Sequence, residues 1–181
     1  MEAGTRTIYT IGHSTRPIAD LIRMLKLNGV ELLVDVRSVP KSRYNPQYNI
    51  ESLEREIPAA GIHYVNRKGL GGMRKPDKNS VNAGWENASF RGFADYMQGS
   101  EFGENIQWLE NSARRERTCF MCAEAVPWRC HRTLISDAMT ARGWRVCHIM
   151  DGSLSVHKVT PFAHVDGTKV TYPGPLDVFN V

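Results

Sequence analysis

The chain has 181 residues, 41% of them hydrophobic, and 23 basic against 19 acidic side chains give it a formal charge of +4. That length supplies one ordinary core and is short for two, and the modest positive charge permits a phosphate-bearing partner without demanding one. No stretch reaches the roughly 18 consecutive apolar residues of a membrane span, and Met1 to Arg6 lead into a strand-like run instead of a secretory apolar core, so no membrane association and a cytoplasmic location are expected.

Thr7 to Ile11 alternates weakly and predicts a strand ending in Gly12-His13-Ser14. Helical spacing follows through Ile18, Leu21, Ile22 and Leu25, with Pro17 suited to the first turn and Gly29 to the stop. Glu31 to Val36 is a continuous aliphatic run of the kind buried on both faces of a parallel sheet, and it ends in Asp35-Val36-Arg37. After a loop carrying Pro40, Arg43 and Pro46, a helix is expected from about Ile50 to Ala60 and a short strand at Ile62 to Val65. The pattern then fails from Asn66 to Asn87, where Gly69, Gly71, Gly72 and Gly84 cluster. A loop this long in a compact domain covers a site or is disordered.

Helical runs resume over Phe90 to Met97 and Ile106 to Arg114. A strand from Thr118 reaching Cys122, a helix from about His131 to Arg142 stopped by Gly143, and a strand from Arg145 to Met150 continue the alternation. Strands alternating with helices predict an α/β fold: a mostly parallel open sheet with helices on both faces, Rossmann-like in its three layers. From Val156 onward the hairpin signal Val165-Asp166-Gly167-Thr168 and the run Pro173-Gly174-Pro175 predict a C-terminal arm or hairpin (residues 156–181) packed on a single α/β domain (residues 1–155).

Between the fourth strand and the last long helix lies Cys122-Ala-Glu-Ala-Val-Pro-Trp-Arg-Cys-His-Arg132, which packs thiols, a carboxylate, an imidazole and guanidiniums into one connection. Four cysteines (Cys119, Cys122, Cys130, Cys147) are too few and too unevenly spaced for a secreted disulfide framework, so reduced thiols are expected. Ligands of open parallel sheets bind beyond the carboxyl ends of the strands. That rule sends Gly12, His13, Ser14, Asp35, Arg37, Gly71, Gly72, Cys122 and Glu124 to one edge. A helix starting near His131 points its free amides there too, so an anion held with Arg129 and Arg132 is expected, and the same field lowers the pKa of Cys130, and of Cys122 if it lies close.

The first expectation is therefore an enzyme acting on a phosphate-bearing substrate, a nucleotide or nucleic acid, with no cofactor. Cys122 or Cys130 is the nucleophile and Glu124 or His131 the acid or base, while Arg37, Arg43, Arg74, Arg129 and Arg132 hold the anion. Two alternatives stay open. One is a non-catalytic nucleic-acid-binding module using the basic loops and the aromatics Tyr44, Tyr48, Trp85 and Trp128. The other is a metal-binding protein using Cys122, Cys130 and His131, with His13 or His148 as a fourth ligand, although Cys-x7-Cys-His lacks the paired short spacings of structural zinc sites. Each residue also has a plainer reading: Cys122 as a buried strand end, Cys130 as helix-start filler, and Asp35 with Arg37 as an ion pair bracing a loop. His63, His148 and His164 read as structural or exposed, and His157 as a residue that the arm folds back over the site.

Thr10-Ile-Gly-His-Ser14, Leu33-Val-Asp-Val-Arg37 with Pro40, Ser42 and Arg43, Leu70-Gly-Gly72 with Arg74, and Met121-Cys-Ala-Glu124 with Cys130-His-Arg132 together resemble domain of unknown function family 488. The resemblance runs from about Thr7 to Pro161, and the order of its four motifs makes it specific. It implies a cytoplasmic single-domain α/β protein whose motif residues are Gly12, His13, Asp35, Arg37, Arg43, Gly71, Gly72, Arg74, Cys122, Glu124, Cys130, His131 and Arg132. It implies no reaction.

Overall fold

The computed structural model describes residues 4–175, so residues 1–3 and the last part of the expected arm, residues 176–181, lie outside the described residues. Five strands run parallel: β1 (Thr7–Gly12), β2 (Leu32–Asp35), β3 (His63–Asn66), β4 (Thr118–Cys122) and β5 (Arg145–Met150). A sixth, β6 (Ser153–Val156), turns back antiparallel on β5, and the sheet order is β3-β2-β4-β1-β5-β6. The mostly parallel α/β sheet expected from the alternation is the observed architecture. The antiparallel β6 is not among the expected strands, and it runs across the expected boundary between domain and arm at residues 155 and 156.

Alternation along the strands divides the core. Ile8, Leu32, Val34, Phe120 and Val146 face one side, and Ile11, Leu33, Cys119, Met121 and Ile149 the other. On the second side pack α1 (Ile18–Leu27), through Leu21, Met24 and Leu25, and α2 (Ile50–Ala59), through Leu53 and Ile57. On the first side pack α3 (Ala88–Tyr96), α4 (Ser100–Arg115) and α5 (Arg132–Ala141), through Phe93, Phe102, Ile106, Leu109, Leu134, Ile135 and Met139. Each such fully buried side chain contributes about 1.5–3 kcal/mol of transfer free energy, so the layers are held by these stripes more than by helix propensity.

The helix ends follow local chemistry. Gly29 takes a φ of 65° and lets the chain leave α1 through Gly29 N–H to Lys26 O and Val30 N–H to Leu25 O. The Asn87 side chain caps α3 by accepting from the amides of Ser89 and Phe90. A small antiparallel pair, β7 (His164–Asp166) and β8 (Lys169–Thr171), turns at Gly167 with φ 61°. Behind it Tyr172 is fully buried, its hydroxyl 2.7 Å from Asp137 of α5.

Candidate active site

The sheet order puts β4 between β2 and β1, so Cys122 ends the middle strand of three. Gly12 pairs with Cys122 on one side and Asp35 with Met121 on the other. Beyond these ends opens a cleft of about 640 Å³. Among the expected residues, His13, Ser14, Arg37, Gly72, Cys122, Glu124, Arg129, Cys130 and His131 line it. Segments far apart in the chain thus meet at one rim.

Gly12 makes the close approach of β1 to the loop after β4 possible. A Cβ there would run into the carbonyl of Glu124, and the bare backbone instead lets His13 N–H reach Cys122 O at 3.0 Å and Ser14 N–H reach Ala123 O at 2.9 Å. Gly72 plays the same part against the His131 ring. Of the long loop 66–87, therefore, the piece around Gly72 and Met73 joins the wall of the cleft, while Asp95 of α3 pins the rest by accepting from Ser80, Asn82 and the Asp77 amide.

Cys122 sits at the floor, 2% exposed. Burial alone would raise its pKa, yet the adjacent Cys130 thiol, the charge of Arg132 and the Glu124 backbone outweigh it and hold the Cys122 thiol below the ordinary value. Cys130 shows the converse. Held beside the Cys122 sulfur, and buried as well, it keeps its proton far above the ordinary range. Next to it, His131 places Nδ1 3.4 Å from Cys130 Sγ and Nε2 3.0 Å from both Val36 O and Leu70 O. Two carbonyl acceptors require a hydrogen on Nε2, so Nδ1 offers its lone pair to Cys130. Burial pulls the His131 pKa down to about 4, which leaves the ring neutral.

Arg132 lies beneath this floor, not in it. It is 1% exposed, donates through Nη2 to Glu124 O at 3.1 Å and Ala125 O at 3.3 Å, leaves Nε unpartnered, and takes part in no ion pair among the described residues. The expected anchoring of an anion by this side chain at the start of α5 is not what its position provides, because the guanidinium has turned inward.

On the opposite wall Arg37 is clamped by Asp35 and donates to Tyr48 O at 2.7 Å and to His13 Nε2 at 3.3 Å. His13 gives its Nδ1 hydrogen to Ser14 O at 2.7 Å and stacks on Tyr48 with ring centroids 4.0 Å apart. Burial pulls its pKa down to about 4, so it is a neutral acceptor for Arg37. Asp35 is fully buried behind the wall and also accepts the Tyr64 hydroxyl at 2.6 Å. The Asp35–Arg37 pair thus braces the loop, and Arg37 lines the cleft.

Arg43, Gly71 and Arg74 do not line the cleft. Gly71 packs on Ser38, and Arg74 lies over the Tyr96 ring at 3.7 Å while donating to Gly71 O. Arg43 is exposed on the loop that supplies Lys41, Ser42 and Asn45 to the wall. Sequence reasoning gave no site role to Lys41, Asn45, Thr15 or Ser89, and named Ser42 only within a motif; the Pro40–Pro46 spacing was the available sign that this loop folds back, since Ile50 N–H closes on Pro40 O at 2.9 Å. Of the four aromatics expected at a nucleic-acid surface, Tyr44 and Trp128 are 88% and 67% exposed, but Tyr48 is buried and Trp85 packs against Phe90, Phe162 and Tyr172.

Among the described residues no three His, Cys, Asp or Glu side chains gather closely enough to hold a metal ion. His148, considered as a fourth ligand, is committed elsewhere: Thr10 Oγ1 is 2.6 Å from its Nδ1, its Nε2 is 2.9 Å from His157 Nδ1, and His157 Nε2 is 2.7 Å from Asp137. His157 is therefore locked against α5, and it does not fold back over the cleft as expected.

No curated protein and no solved structure matches the chain. The model of the family described as Domain of unknown function DUF488 matches residues 17–139, and the chain belongs to that family.

Proposed function

We infer that this DUF488 member is a thiol-dependent enzyme with Cys122 as its nucleophile, acting on a phosphate-bearing substrate of the nucleotide or nucleic-acid class. The observation that carries the reading is the buried guanidinium of Arg132 without a carboxylate partner beneath Cys122. A lone buried cation is costly, and a thiolate is the anion that this neighbourhood can supply. Cys130, whose S–H faces His131 Nδ1 at 3.4 Å, stays protonated beside that thiolate. Cys122 Sγ attacks an electrophilic centre, and the displaced group leaves with the electron pair and takes a proton from solvent at the mouth. The Glu124 carboxylate draws a proton from the water that attacks the bound group, which releases the product and returns the electron pair to Cys122 Sγ.

The phosphate is assigned to Lys41, Arg129, the free face of Arg37 and the hydroxyls of Ser14 and Ser42, all on the walls of the cleft. Exposed Trp128, next to Arg129 in the chain, and Tyr44, on the loop that carries Lys41, offer stacking surfaces for a base. The test is the pH dependence of iodoacetamide labelling at Cys122, read by peptide mass spectrometry, with and without a mononucleotide. Labelling that half-saturates well below the free-thiol value of about 8.5 and is slowed by the nucleotide is expected. Labelling absent from the folded protein, or rising only above the free-thiol value, would overturn the reading. Nucleic-acid binding that weakens steeply with salt and survives Cys122→Ser without any turnover would favour the binding module instead.

A further inference from the structure

Beyond its shortness, the free edge of β6 carries none of the devices by which sheets avoid pairing with other chains. Ser153-Leu154-Ser155-Val156 has no charge, no proline and no bulge, all four residues are exposed, and no described residue covers them. Register tells which groups are free. His157 N–H donates to Val146 O, and Ser155 and Ser153 stand opposite His148 and Met150, so these alternate residues turn their backbone groups to β5. Leu154 and Val156 accordingly point their N–H and C=O groups outward. Their side chains, 51% and 48% exposed, share one sheet face, and Leu154 stands beside Leu27 of α1, itself 78% exposed, over a shallow depression with Met24 and Ile149.

We propose that β6 is the self-association edge of this protein: two copies pair β6 with β6 antiparallel about a twofold axis through Ser155, making one continuous sheet across both. An axis at Ser155 sets Leu154 opposite the partner's Val156 and Val156 opposite the partner's Leu154. Both are positions with outward backbone groups, so each such pair exchanges two N–H···O bonds and closes an apolar cross-strand contact. The flanks are complementary in charge. Lys158 is exposed and takes part in no ion pair among the described residues, and the same axis brings it against the partner's turn carrying Asp151, which already bridges Arg16 at 3.2 Å through one oxygen but keeps its side chain 84% exposed. A second copy is the occupant that satisfies hydrogen-bond phase, apolar contact and charge with the same four-residue strand. The edge is short, so the dimer is concentration-dependent.

Sedimentation velocity over a concentration series tests this. The wild type is expected to shift toward twice its 20.4 kDa chain mass as concentration rises. Leu154→Lys with Val156→Lys should abolish the shift while circular dichroism stays unchanged, since both side chains are outside the core. Lys158→Asp alone and Asp151→Lys alone should each weaken the dimer, and mixing the two should restore it, because the mixed pair regains both opposite-charge contacts. A wild type that stays monomeric to its solubility limit, or a dimer indifferent to the paired lysines, would overturn the proposal. If the paired lysines fail to fold, the charge-swap mixture decides it alone: no restoration refutes the β6 axis.

Discussion

Asp35 and Arg37 close a two-pronged bond on each other inside the protein, Nε to Oδ1 at 2.9 Å and Nη2 to Oδ2 at 2.7 Å, and the same guanidinium holds the Tyr48 carbonyl and the His13 ring. One residue thereby ties the end of β2 to the loop after β1. Asp35→Asn would leave Arg37 buried without its counter-charge, at a cost of about 3–5 kcal/mol in urea unfolding. Arg37→Met added to it should recover part of that loss, because the orphaned charge is then gone. A cost for Asp35→Asn below about 1 kcal/mol would mean that water screens this pair as it does a surface bridge.

Arg132 offers a different experiment, since its charge has a chemical use more than a structural partner. Arg132→Met should raise the pKa of the Cys122 thiol and slow iodoacetamide labelling at neutral pH in proportion to the thiolate lost, roughly tenfold for about 1.4 kcal/mol of missing stabilisation. Arg132→Lys keeps the charge and should restore part of the rate. Equal slowing in both variants would point to lost packing under the Glu124 and Ala125 carbonyls instead of lost charge.

Two glycines give opposite outcomes with the same substitution. At Gly12 an added methyl meets the Glu124 carbonyl, which is backbone and cannot rotate away, so Gly12→Ala should cost about 1–3 kcal/mol or more and blunt Cys122 labelling as the floor shifts. At Gly103, inside α4, nothing lies within 4 Å, and Gly103→Ala should stabilise by about 0.5–1 kcal/mol. Thermal melts of the two proteins side by side check both signs.

The parallel strands and their helices were legible because their signals are local: the aliphatic run ending in Asp35, the spacing of Leu21 and Leu25, and Gly29 and Gly143 at helix stops. The gathering of His13, Arg37 and Cys122 was legible from the rule that parallel strands present their carboxyl ends together. Partnerships set by sheet order were not. Thr10 and His148 are 138 residues apart and meet only because β5 pairs with β1, which also decides that His157 serves Asp137 and not the cleft. Arg132 misled in another way. Its place in the cysteine motif reads as substrate contact, yet one step along α5 turns it from the cleft into the interior, a rotation of about 100° that spacing alone does not reveal.

Three buried histidines make this protein sensitive to acid. Burial pulls His13 and His131 to about 4 and His148 to about 3, with Arg37 acting on His13, Arg132 and Arg74 on His131, and His157 and Arg132 on His148, all in the same direction. Each is neutral when folded and binds a proton near pH 6.5 when unfolded, so the unfolded state holds more protons between those values and stability rises with pH there. Their contribution is complete above about pH 6.5 and is lost as pH falls toward 4. Each adds about 1.4 kcal/mol per pH unit to the slope, and the three together about 4. Urea unfolding measured from pH 7 to pH 4.5 should show a plateau and then this fall. His148→Gln should remove about one third of the slope, at the cost of its bonds to Thr10 and His157. A stability that stays level down to pH 5 would mean that these rings charge freely in the native protein, and that the neutral His13 and His131 on either side of Cys122 are not as the hydrogen bonds require.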